Sequence, residues 1–145
     1  MKKLVITAIA ALFVSAGFAQ PAHNAATEAM AAFIDEASQA AWLQIGPVEA
    51  FDFIEQVEPF LLDVRRQAEF DEGHIEFATL IPLAELDGRI SELPQNLDAP
   101  MLVYCAVGIR GNFGLVYLKM LGYNNVRNIR GGFGAWTAEG LPTVP

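Results

Sequence analysis

Apolar residues at Met30, Phe33, Ile34, Ala37 and Ala41 recur at helical spacing in an alanine-rich stretch, which predicts an amphipathic helix over Thr27 to Trp42. Pro47, suited to a first helical turn, opens a second helix to about Gln56, with Val48, Phe51 and Ile54 expected to face inward. Beyond it, short apolar runs alternate with helix-like segments. Strands are expected at Phe60 to Val64, Ala78 to Ile81, Met101 to Cys105 and Val126 to Ile129, with a short one at Leu43-Gln44-Ile45. Between them the pattern predicts a helical turn over Gln67 to Glu72 and a helix over Leu83 to Leu93. A further helix runs from about Gly111 to Leu121, stopped by Gly122. A short one follows Gly131-Gly132, around Ala135-Trp136. Strands alternating with helices imply an α/β domain with a mostly parallel sheet. Ligands of such sheets bind beyond the carboxyl ends of the strands. Asp63 and Cys105 both fall at such ends.

The N-terminus follows a different pattern. Met1-Lys2-Lys3 is basic, Leu4 to Phe18 is an uncharged, mainly apolar stretch of 15 residues, and Gly17-Phe18-Ala19 places small residues at both cleavage-determining positions. This is the anatomy of a signal peptide cut after Ala19, and the stretch is shorter than the roughly 20 residues that span a bilayer. Residues 1–19 are therefore expected to be a signal peptide, 20–42 a linker and helical extension, and 43–145 the domain. Export to the periplasm or beyond follows, with no stable membrane insertion after cleavage.

Charge narrows the partners. The 145 residues carry nine Lys and Arg against 17 Asp and Glu, a net charge of −8 that becomes more negative once Lys2 and Lys3 are removed. Such a surface repels nucleic acid and anionic lipid. A site for an anionic substrate must then be made positive against the field of the whole protein.

The chain has one cysteine, so no intramolecular disulfide can form, and Cys105 is either buried filler or a reactive thiol. It ends the run Met101-Leu102-Val103-Tyr104 and opens the loop Ala106-Val107-Gly108-Ile109-Arg110 before a helix. A free thiol titrates near about 8.5. Loop amides turned inward at Gly108, the N-terminus of the following helix and the guanidinium of Arg110 would all favour the thiolate. They would also hold the charge of a terminal sulfur. The order strand, Cys, x, x, Gly, x, Arg, helix favours the reactive reading.

The stretch from about Leu43 to Pro142 resembles a single rhodanese (sulfurtransferase) domain. The matching pieces are Leu62-Asp63-Val64-Arg65, Glu69-Phe70, Gly73-His74-Ile75, Ile81-Pro82, the Cys105 to Arg110 loop, Leu121-Gly122-Tyr123, Asn125-Val126, Gly131-Gly132-Phe133 and Ala135-Trp136. The resemblance implies a rhodanese-like fold, a five-stranded parallel sheet flanked by helices, here with an extra N-terminal helix. It implies ping-pong sulfur transfer in which Cys105 takes a sulfane sulfur, waits as a persulfide and passes it on. Ala106, Val107, Gly108, Ile109 and Arg110 would form the substrate cradle, and Asp63 with Arg65 would match the strand-end pair that braces it, or serve only as a structural ion pair. His74 falls in a Gly-His-Ile element where the histidine is structural, so a capping or core hydrogen-bonding role is expected. With only His23 besides, no metal cluster is assembled, and no cofactor beyond the covalent persulfide is implied. Trp136 and Phe133 read as core.

Two departures matter. Ala106, Val107 and Ile109 are apolar, whereas thiosulfate-preferring relatives often carry basic or hydroxyl residues there. This favours persulfide or polysulfide donors, and Cys105 to Gly111 is similar to loops in rhodanese domains fused to flavin-dependent coenzyme A-disulfide reductases. Phe77 stands where the family usually has glycine, which puts that turn's geometry in question. Related phosphatases and arsenate reductases place one more residue between Cys and Arg; the four here suit a single sulfur atom. A second class of function stays open: a persulfide carrier or sulfur sensor that serves a thiol or protein acceptor without fast turnover.

Overall fold

The computed structural model describes residues 24–39 and 43–145. The expected signal peptide, His23 and the end of the first helix at Ala41 and Trp42 lie outside the described residues.

Five parallel strands form one sheet in the order β1-β5-β4-β2-β3: β1 (Gln44–Ile45), β2 (Phe60–Asp63), β3 (Thr79–Leu80), β4 (Met101–Tyr104) and β5 (Val126–Ile129). The helices are α1 (Ala25–Gln39), α2 (Pro47–Val57), α3 (Gln67–Asp71), α4 (Ile109–Met120) and α5 (Gly132–Ala138). Central β4 pairs Asp63 with Tyr104 on one side and Val103 with Asn128 on the other. Alternation along the strands sends side chains to both faces, and both are covered. Leu62, Met101, Val103 and Val126 pack with Leu115 and Leu118 of α4, and Phe33 and Ala37 of α1 add to that cluster. Leu61, Leu102, Tyr104 and Ile129 pack on the other face with Ala50 and Trp136. Burial on both faces is why these strands are apolar runs rather than alternating ones. No helix among the described residues is long and apolar enough to cross a membrane.

Several expectations need correction. Leu83 to Leu93 is not an α-helix: turns lead into a 3-10 helix over Asp87–Glu92, kinked at Arg89. Leu86 and Leu93 are buried there while Ile90 is exposed, and Gly88 weakens helical propensity between them. Ile34 faces solvent, because α1 buries its stripe through Phe33 and Ala37, about a hundred degrees round the helix. Val48 is also exposed at the start of α2; Phe51 and Ile54 carry the inward face. Helix α4 begins two residues earlier than expected, since Gly108 takes φ +93° as its N-cap and draws Ile109 and Arg110 into the first turn. Phe77 does occupy a left-handed turn, at φ +67°, with its ring 82% exposed. The turn keeps a glycine-type conformation at a steric cost of about 1–2 kcal/mol.

Candidate active site

The site lies at the carboxyl end of β4, next to the end of β2. Cys105 is fully buried in the cluster beneath α4, and its Sγ accepts a hydrogen bond from the Gly108 amide at 3.2 Å. The loop therefore curls back over the sulfur as its sequence suggests. Ala106 is half-buried and Gly108 buried, whereas Val107 and Ile109 each stand 64% exposed. Phe113, one turn beyond Ile109 on α4, is equally exposed. Three exposed apolar side chains thus stand on the loop and the first turns of α4 that follow the recessed thiol, an apolar collar.

The base of the loop is clamped by the start of α5. Phe133 N–H donates to the Cys105 carbonyl at 2.7 Å, and Gly134 N–H to the Ala106 carbonyl at 2.8 Å. Gly132 sits so close beneath that a Cβ there would lie 2.1 Å from the Cys105 oxygen, and its φ of +59° also favours glycine. Buried Asn128, at the end of β5, donates to the Gly108 carbonyl at 3.3 Å and ties the loop to Gln44 and Asn112. Neither Gly132 nor Asn128 stands out by chemistry in the sequence. The double glycine after a strand, within the family-matching piece Gly131-Gly132-Phe133, is the signal for Gly132.

Arg110 closes the loop in a way the spacing did not reveal. Its Nη1 and Nη2 donate to the two carboxylate oxygens of Glu69 at 2.8 and 2.6 Å, a bidentate pair with both side chains 30% exposed. Glu69 also accepts from the Arg66 amide at 3.1 Å. Its carboxyl is held down to about 2, chiefly by the Arg110 hydrogen bond. Arg110 is correspondingly held in its charged form, first by Glu69 and to a smaller extent by Cys105.

Asp63 and Arg65 form a fully buried pair at 2.7 Å. Arg65 also donates to the carbonyls of Glu69 at 3.0 Å and Gly73 at 2.8 Å, and its guanidinium lies 4.2 Å from the Phe133 ring centroid. The pair does not touch the thiol. It braces the backbone that carries Glu69, the partner of Arg110. His74 stacks on Phe70 at 3.6 Å, with Nδ1 3.2 Å from the Phe70 carbonyl, at the end of α3. That is the structural place expected for it. Trp136 is core, its indole donating to the Pro142 carbonyl at 2.9 Å.

A thiol under an amide-lined loop, at the carboxyl end of a parallel sheet with an arginine at the rim, defines a class: an α/β domain built to receive an anion or a sulfur atom on a cysteine. Residues 47–139 match the Rhodanese-like domain family, and the chain belongs to it. A sulfurtransferase of Allochromatium vinosum is 39% identical over 84 residues, which cover 58% of this chain and 77% of that one. The thiosulfate sulfurtransferase GlpE of Coxiella burnetii is 33% identical over 66% of this chain and 88% of its own. Among solved structures, a rhodanese-related protein of Thermoplasma volcanium superposes with a TM-score of 0.64 at 30% identity, over 71% of this chain and 98% of that one. Family and relatives together support sulfur transfer as the general chemistry of this site.

Proposed function

We propose that the protein is an exported sulfurtransferase that moves sulfane sulfur from a persulfide, polysulfide or thiosulfate donor to a thiol or cyanide acceptor through a Cys105 persulfide. The observation that carries this is the Gly108 amide donating to the buried Sγ within a four-residue Cys-to-Arg loop. The Cys105 thiolate attacks the sulfane sulfur, the donor's sulfur–sulfur bond breaks, and its electron pair leaves with sulfite or a thiolate. In the second half-reaction the acceptor attacks the outer sulfur and Cys105 leaves as thiolate. The amides of residues 106–110 hold the anionic outer sulfur between the two steps. The apolar side chains Val107 and Ile109 favour persulfide or polysulfide over thiosulfate. The basic start, apolar stretch and Ala19 cleavage position support export to the periplasm.

Intact-mass analysis after incubation with thiosulfate and, separately, with polysulfide tests the reading. One added sulfur is expected, removable by reductant and absent in Cys105→Ser. If folded protein gains no sulfur from either donor, the reading fails. The collar of Val107, Ile109 and Phe113, each 64% exposed, favours a second reading in which Cys105 carries sulfur to a protein acceptor. Steady-state transfer to cyanide separates the two, because a carrier loads once and then stalls.

A further inference from the structure

We propose that Glu69 sets the donor preference of this site: by anchoring and neutralising Arg110 it selects singly charged or neutral persulfides over dianionic thiosulfate. The inference rests on the sulfur-transfer reading above and names the residue that tunes it. Arg110 is the only charged residue from Cys105 to Arg110, so it is the loop's sole full positive charge. Both of its terminal nitrogens are engaged by Glu69 in a fork-to-fork pair. A sulfonate group seeking the same planar fork must displace a carboxylate that fits it equally well.

That carboxylate is not free to swing aside. One of its oxygens also accepts from the Arg66 amide, and its own carbonyl is held by Arg65, which is locked to buried Asp63. Held near a pKa of about 2, Glu69 stays ionised across the physiological range, so the cancellation is permanent. The charge of exposed Arg66 acts on Glu69 as well, but as the smallest of the contributions. With Arg110 paired, a dianion finds no unpaired cation within the loop Cys105 to Arg110 itself and depends there on backbone dipoles, in a chain of net charge −8. A hydrodisulfide carries at most one charge at the transferred end and loses little. The sequence shows the two residues 41 positions apart and gives no sign that they meet.

The test measures kcat/KM for thiosulfate and for the persulfide of 2-mercaptoethanol in wild type, Glu69→Gln and the Glu69→Gln/Arg110→Gln double variant. Freeing Arg110 is expected to raise the thiosulfate-to-persulfide ratio on the order of tenfold, mainly through the KM for thiosulfate. That gain should vanish in the double variant. A parallel fall for both donors, an unchanged ratio, or a gain that survives loss of Arg110 would each overturn the proposal. If Glu69→Gln does not fold, Glu69→Asp keeps the charge but shortens the reach. It should move the ratio the same way by less, and no movement would refute the proposal. Failure of wild-type Cys105 to take sulfur from either donor would instead sink the sulfur-transfer reading itself.

Discussion

At the residue scale, two ion pairs of the same chemistry serve different ends because their burial differs. Asp63 and Arg65 are sealed from solvent, so removing one partner leaves an uncompensated charge in the core, while each gains a rigid position from the other. Glu69 and Arg110 sit at the rim, where water can still compete. The rim pair has a pH signature whose sign follows from the depressed Glu69 value. Its ordinary pKa is 4.5 and its folded value about 2, so the contribution is fully present above about pH 4.5 and is lost as pH falls to about 2. Urea unfolding of wild type and Glu69→Gln should therefore give a stability difference that shrinks across that window. A difference independent of pH would mean that the carboxylate's charge contributes nothing.

At the element scale, the Cys105 loop is shaped by a helix that does not contain it. The two hydrogen bonds donated by the Phe133 and Gly134 amides of α5, together with the close approach of Gly132, fix the curvature that turns Gly108 toward the sulfur. Gly132→Ala is expected to push the Cys105 carbonyl aside, cost about 2–3 kcal/mol and slow sulfur loading at least about tenfold. Thermal unfolding and the rate of mass gain would check both. Much of this architecture was legible in the chain. Runs such as Met101 to Tyr104 are buried on both faces and therefore read as strands. The Cys, Gly and Arg spacing located the loop, because its chemistry is local. What stayed hidden depends on contacts distant in sequence. Glu69 reaches Arg110 across α3, Gly132 meets Cys105 across a whole βα unit, and Asn128 hangs beneath Gly108. The expected helix at Leu83 to Leu93 failed for a different reason: leucines seven residues apart suit one face of an α-helix, but Leu86 and Leu93 are buried as the residues flanking a short 3-10 helix kinked at Arg89.

At the scale of the whole molecule, the acidic surface acts on every approaching anion. A chain of net charge −8 repels a dianion at long range, and salt screens that repulsion. The second-order rate of loading from thiosulfate should therefore rise severalfold between low and physiological ionic strength, while loading from an uncharged trisulfide stays nearly level. Stopped-flow rates across a salt series would show it, and a falling thiosulfate rate would point to a positive local field instead. The sheet's ends are also protected, because both edge strands, β1 and β3, are only two residues long and offer little for another chain to pair with. The depth of the thiol carries one more consequence. Sulfurs of a disulfide must lie about 2.05 Å apart, and two copies of a Cys105 with no exposed surface come that close only if both loops open. Oxidation by mutual cross-linking, the ordinary fate of a lone thiol in air, is hindered by that burial. The protein keeps its single cysteine chemically solitary, reachable only by a sulfur small enough, or mounted on a stalk slender enough, to enter the loop.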